Sequence, residues 1–143
     1  MLSIRRSSFV FEIVALLVVA TRLPLMPPHL YSFDSVNLAL ALEQFDPTIS
    51  QPQPPGYPLF VAEAKVMQFL LRTPERTFAF LGLLASILAL VVLFYLGQRM
   101  FSLGVGCAGA ALLLVNPVFW YSSLTSPLRP HIALFSLLVA YLC

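Results

Sequence analysis

From Phe78 to Leu96 the chain runs without a charged residue. A helix over that stretch is long enough to cross a hydrocarbon core, which takes ~17–25 helical residues. It is not isolated: Gly97-Gln98-Arg99 reads as a short turn, and a second apolar run follows from about Phe101 to Trp120. The whole chain is 59% hydrophobic and 10% charged, whereas a soluble domain carries roughly 45–50% and about 25%. With a mean hydropathy of +0.90, a soluble fold of this size would have to coat its outside with apolar side chains. The expected fold class is therefore all-α, a polytopic integral membrane helix bundle.

A first span is expected over about 9–26, after Arg5 and Arg6. Glu12 and the apolar continuation through Leu23-Pro24-Leu25-Met26 fit an uncleaved anchor better than a signal peptide cleaved after Val18-Val19-Ala20. The two arginines then hold the N-terminus in the cytoplasm. From Leu23 to Ala64 there is no Lys or Arg, while Asp34, Glu43, Asp46 and Glu63 all fall there, so an external loop is expected over about 27–77. Within it, Asp34 to Phe45 is helix-forming. Asp34, Asn37, Ala41 and Gln44 recur at helical spacing with leucines on the other sides, as in a helix lying along a membrane surface. Gln51-Pro-Gln-Pro-Pro-Gly-Tyr-Pro58 cannot be helical and reads as a stiff polyproline strut.

Leu59 to Leu71 is short for a span and carries Glu63 and Lys65, which favours a surface-lying helix. As a span it would instead put Arg72, Arg76 and Arg129 in the cytoplasm, as the charge bias prefers; the surface-lying alternative is the one adopted here. The expected spans are then about 9–26, 78–96, 101–120 and an incomplete one over 132–143. Gly104, Gly106 and Gly109 allow close helix contact in the hairpin, and Asn116-Pro117 disrupts its second helix. Residues 122–130 read as a polar, proline-punctuated loop. A last helix stopping at Cys143 rises only ~18 Å of a ~30 Å core, so the chain reads as the N-terminal part of a larger protein.

Eight Lys and Arg face six Asp and Glu, scattered and not gathered into a patch that could track phosphates, which argues against nucleic acid as a partner. Cys107 and Cys143 have no metal-ligand spacing. There is no dinucleotide fingerprint, Walker loop, HExxH or GxSxG. Taken singly, the remaining polar residues have ordinary explanations. Asp34 suits a helix N-cap, Arg22 a side chain snorkelling to the headgroups, Tyr57 and Trp120 an aromatic belt, and Glu12 contact with water near the cytoplasmic end of the first span, with pairing inside the bundle as its alternative. His29 and His131 do not make a metal site. Arg129, bracketed by prolines, is equally open to a functional and a structural role.

Their order is more informative. A basic N-terminus, one span ending in Arg22, an external Tyr31-Ser-Phe-Asp34-Ser-Val-Asn-Leu-Ala-Leu helix and then Gln53-Pro-Pro-Gly-Tyr-Pro-Leu-Phe60 together resemble the start of the GT-C superfamily of membrane glycosyltransferases. The nearest branch is the bacterial relatives of the dolichyl-phosphate-mannose protein mannosyltransferases. The resemblance covers most of the 143 residues, which would form only the first third or so of such an enzyme. It implies that Asp34 is the catalytic acid–base residue and that the helix after the proline segment lies on the membrane surface. Asp34 and the 122–131 segment then share one external face.

The resemblance also implies a polyprenyl-phosphate-linked sugar as donor, an acceptor hydroxyl of unknown identity, and a site on the outer face of a prokaryotic plasma membrane. Tyr31 and Asn37 would orient Asp34. Arg22, Arg129 and His131 would contact the phosphate, since a guanidinium forks onto its oxygens, and Tyr57 would join the substrate-facing side chains. The second acid often present in the family's later loop is missing from Leu124-Thr-Ser-Pro-Leu-Arg-Pro-His131. No metal ligands are assigned, and a divalent-metal requirement stays open. The alternative is a non-enzymatic polytopic protein, a transporter or small membrane subunit, whose key polar groups would lie near the bilayer midplane. As a fragment, the chain is expected to be inactive alone.

Overall fold

The computed structural model describes residues 2–143, with side chains from residue 9 onward, so Arg5 and Arg6, which carry the expected orientation, lie outside the described side chains. Among the described residues the protein is all-helical: α1 (Leu2–Arg22), α2 (Phe33–Glu43), α3 (Pro58–Leu71), α4 (Pro74–Met100), α5 (Leu103–Val115), α6 (Pro117–Thr125) and α7 (Leu128–Leu142). Short 3-10 turns occupy Leu23–Leu25 and Pro47–Ile49.

α4 organises the rest, packing against α1, α3, α5, α6 and α7. Thr73 caps it by accepting from the Arg76 N–H, and Pro74 supplies the first-turn φ. Its 27 residues rise about 40 Å. Gly97 does not end this helix as the sequence suggests. The residue is used for contact: a methyl there would sit 2.8 Å from the Gly106 Cα, and one on Gly106 would meet the Phe94 carbonyl oxygen at 2.5 Å. The chain therefore turns later, at Phe101–Ser102, and α5 returns against α4 with backbones nearly touching.

By length and apolarity α4 alone, among the described residues, is sufficient to cross a membrane; α5 and α6 together make a second if a 57° bend between them is one broken span. The bend falls at Asn116-Pro117, where Asn116 also caps α6 through the Phe119 N–H at 2.9 Å. α1 ends at Arg22 instead of continuing to Met26, because Pro24 breaks the pattern and the chain passes into the 3-10 turn.

Three further expectations are revised. The polar row of α2 does not face outward: Asn37 and Ala41 are buried, and Phe33, Val36 and Leu40 are exposed. Leu38, Ala41 and Leu42 pack on Phe60, Val61, Ala64 and Phe78 in one core cluster, leaving the other apolar face free. The segment over 51–58 is not an extended strut. Ser50 adopts a left-handed φ of 61°, and Asp46 and Gln51 bond back to each other in both directions, at 2.6 and 3.0 Å. The segment contains cis peptides at Gln51-Pro52 and Pro54-Pro55. Gly56, at φ 93°, closes its end where a side chain would press on Pro47. Finally, 122–130 is mostly helix, with the break confined to Ser126-Pro127 between α6 and α7.

Candidate functional site

The start of α2 is fastened to the end of α6. Ser32, not Asp34, is the N-cap of α2, accepting from the Ser35 N–H at 3.1 Å. Its hydroxyl lies 2.6 Å from that of Ser35. The Thr125 carbonyl, left without a partner in the last turn of α6, accepts from Ser35 Oγ at 2.8 Å and from Ser32 Oγ at 3.2 Å. With capping done by Ser32, Asp34 stands in the first turn of α2, where the helix dipole favours a negative charge. Among the described residues its carboxylate makes no hydrogen bond or ion pair.

This fastening creates a polar cavity of about 120 Å³ lined by Tyr31, Ser32 and Asp34 on one side and by Tyr121, Thr125, Ser126 and Arg129 on the other. The break at Ser126-Pro127 lets α7 start beside the cavity and places Arg129 in its wall. The Arg129 guanidinium has one weak contact, 3.5 Å to Ser122 Oγ, so most of its donors remain free for a ligand. The cavity thus offers a carboxylate without partners, a largely free guanidinium, two phenols and three hydroxyls. Two of those hydroxyls, on Ser32 and Thr125, are partly engaged, the latter with the Tyr121 carbonyl at 3.0 Å.

The structure brings together three of the seven side chains proposed from sequence, Asp34, Tyr31 and Arg129. The other four lie elsewhere. Arg22 is fully buried at the end of α1, its guanidinium carbon 5.5 Å above the Phe119 ring and its three side-chain nitrogens without a hydrogen-bond partner. Asn37 is buried with its Nδ2 unpartnered. Tyr57 precedes α3 at a left-handed φ of 43° and packs against the Leu38–Phe60 core.

His131 is committed to structure. Its Nδ1 lies 2.7 Å from the Pro127 carbonyl, its ring meets Phe60 edge-on, and its Nε2 is 3.6 Å from the Glu63 carboxylate. A carbonyl only accepts, so Nδ1 donates to it. The pair ties α3 to α7, away from the Asp34 cavity. Among the described residues no three His, Cys, Asp or Glu come together as a metal group would require.

Ser32, Tyr121, Thr125 and Ser126 line the cavity without having been singled out from sequence. The one available signal was the Ser-x-x-Ser spacing of Ser32 and Ser35, which marks a helix start but not its partner ninety residues away. A search of family models found no match to this chain, and comparisons with curated proteins and with solved structures found none either.

Proposed function

We propose that this chain carries the external acid–base centre of a polytopic membrane glycosyltransferase, one that moves a sugar from a polyprenyl-phosphate donor to an acceptor hydroxyl at the outer face of a plasma membrane. One observation carries the reading. Asp34 and Arg129, far apart in sequence, line a single polar cavity in which neither forms an ion pair with any other of the described residues. A transfer of this kind needs a base and an anion-binding group at one place, and the barrier falls mainly through positioning and charge stabilisation.

In this reading Asp34 takes the proton of the acceptor hydroxyl as its oxygen attacks the anomeric carbon. The bond from that carbon to the phosphate oxygen breaks, and the polyprenyl phosphate leaves as an anion. Arg129 stabilises the phosphate charge by forked donation, while Tyr31 and Tyr121 border the sugar. The uncharged length of α4 and the outward Phe33, Val36 and Leu40 of α2 support placement in and on a bilayer. Arg22, Asn37, Tyr57 and His131 have no part in this mechanism.

The test uses native membranes lacking the protein, complemented with the wild type or Asp34→Asn and supplied with a labelled polyprenyl-phosphate hexose. Expected is transfer with the wild type and a loss of roughly 10²–10⁴-fold with Asp34→Asn at unchanged membrane abundance, the usual contribution of a general base. Undiminished transfer by Asp34→Asn rejects the reading.

A further inference from the structure

A second, larger recess lies at the start of α4. About 610 Å³ in volume, it is enclosed by the chain leaving α1 (Leu23, Met26), the end of α3 (Leu71) and one side of α4. Its lining is ordered by depth. Thr73, Glu75 and Arg76 stand at the first turn of α4, followed by Ala79, Phe80 and Leu83 further along the same helix. From Arg76 to Leu83 the axis advances about 10 Å, so polar groups crown a slot whose lower part is wholly apolar. Leu23 and Phe80, both in its lining, are substantially exposed, so the slot is open to the surroundings.

The two charges at the crown do not cancel each other. Consecutive residues of a helix do not face one another, and among the described residues neither Glu75 nor Arg76 forms an ion pair or a side-chain hydrogen bond. The recess therefore presents a carboxylate and a guanidinium side by side above an apolar slot. A ligand complementary to all three features has an ammonium and a phosphate next to each other and a hydrocarbon chain below them.

We infer that this recess is a binding site for an ethanolamine phospholipid, with its phosphate on Arg76, its ammonium on Glu75 and one acyl chain along Ala79, Phe80 and Leu83. The guanidinium and the phosphate make charge-assisted bonds at the headgroup level, and the primary ammonium donates to the carboxylate, which a quaternary choline cannot do. The site shares with the proposed function only the placement of α4 across a bilayer. It does not involve Asp34 or Arg129.

The test is native mass spectrometry of the 143-residue chain released from mild detergent after exposure to equal amounts of phosphatidylethanolamine, phosphatidylcholine, phosphatidylglycerol and a polyprenyl phosphate, all at the same pH. The expected result is one retained phosphatidylethanolamine, favoured roughly tenfold over phosphatidylcholine, about what one charge-assisted hydrogen bond supplies. Glu75→Gln should remove that preference while leaving phosphatidylglycerol retention intact or raised. Arg76→Gln should weaken all the phosphate lipids, and Ala79→Phe, filling the slot, should displace every lipid.

Equal retention of the phospholipids by the wild type overturns the inference, as does a preference untouched by Glu75→Gln and Arg76→Gln. A chain that prefers the polyprenyl phosphate, or that dimerises with no lipid bound, shows a different occupant and overturns it too. Binding of free phosphoethanolamine as tight as that of the lipid assigns the crown alone. Because the readout is lipid retention, Asp34→Asn leaves it unchanged, so failure here and failure of the transferase reading are told apart.

Discussion

The two ends of α4 are held by different physics. At its Met100 end, Gly97 and Gly106 bring two helix backbones within a methyl's width, and the Arg99 guanidinium adds a 2.7 Å bond to the Tyr141 carbonyl and a ring contact with the same residue. Toward its Pro74 end one such approach remains, Gly82 against the Ser123 carbonyl, but the neighbouring segments also meet through hydroxyl-to-carbonyl bonds, a histidine–carboxylate pair and recesses lined by unpaired charges. Close backbone packing leaves no room for a ligand. Polar contacts made through side chains do leave room, along with donors and acceptors that water or a ligand must satisfy. Chemistry is therefore expected at the Pro74 end and rigidity at the Met100 end.

The largest predicted effect sharpens that contrast at the rigid end. Gly106→Val places branched carbon where even a methyl meets the Phe94 carbonyl oxygen, and helix backbones cannot yield as a flexible side chain would. A loss of about 3 kcal/mol or more is expected, at the upper end of overpacking costs, read as a fall in the thermal midpoint in detergent. An unchanged midpoint would mean that α4 and α5 are not in close contact.

Arg22 tests the other end. A buried guanidinium with no hydrogen-bond partner is costly, and replacing buried ionic groups by apolar ones of similar size often stabilises by about 1–4 kcal/mol. Arg22→Met is expected to raise the midpoint within that range while keeping the packing over Phe119. If the midpoint falls instead, the guanidinium itself stabilises the fold at this position, and the phosphate role suggested for it from sequence stays open.

How much of this was legible in the sequence differs between the two ends for the same reason. The apolar run of α4, the break at Asn116-Pro117 and the small residues of α5 are local signals, and each has a local structural consequence. Asp34 and Arg129 stood out only through the order of the segments around them and the resemblance that order carries, not through their own local pattern. The Ser32 and Ser35 hydroxyls that fasten α2 to the Thr125 carbonyl of α6 did not, since they look like those of any helix start until a partner distant in sequence is known. The inward polar face of α2 was hidden too. A helix between a protein core and a bilayer has two apolar environments, and periodicity alone does not say which side the polar row takes. The turn over 46–51 depends on a left-handed serine, for which composition gives no warning.

Ser35→Ala probes the fastening itself. It removes the 2.8 Å bond to the Thr125 carbonyl and leaves Ser32 a single long one. The expected cost is about 1 kcal/mol, and cross-linking between cysteines placed at positions 33 and 121 should slow as the start of α2 loosens. Cross-linking at the wild-type rate would show that core packing through Leu38 and Leu42 holds α2 without the hydroxyls.

The smallest effect lies in the turn between α2 and α3. The Thr48 hydroxyl and backbone N–H both donate to Asp46 Oδ1, at 2.6 and 2.9 Å, and hold its carboxyl below the ordinary value, the hydroxyl contributing most. A carboxyl depressed in the folded state binds fewer protons than in the unfolded chain. It therefore stabilises the fold above the unfolded value of ~3.9, and that contribution is lost as pH falls through the lower folded value. Thr48→Val removes the hydroxyl but keeps the backbone donor, so the variant should be slightly less stable near neutrality, with the difference closing as pH falls below about 4 and the acid limb becoming shallower. The carboxylate is solvated, so the shift should also shrink with added salt. A deficit that persists undiminished in acid would mean that Thr48 acts by packing and not through Asp46, and the turn would then resemble the Met100 end of α4 more than the polar end to which it is joined.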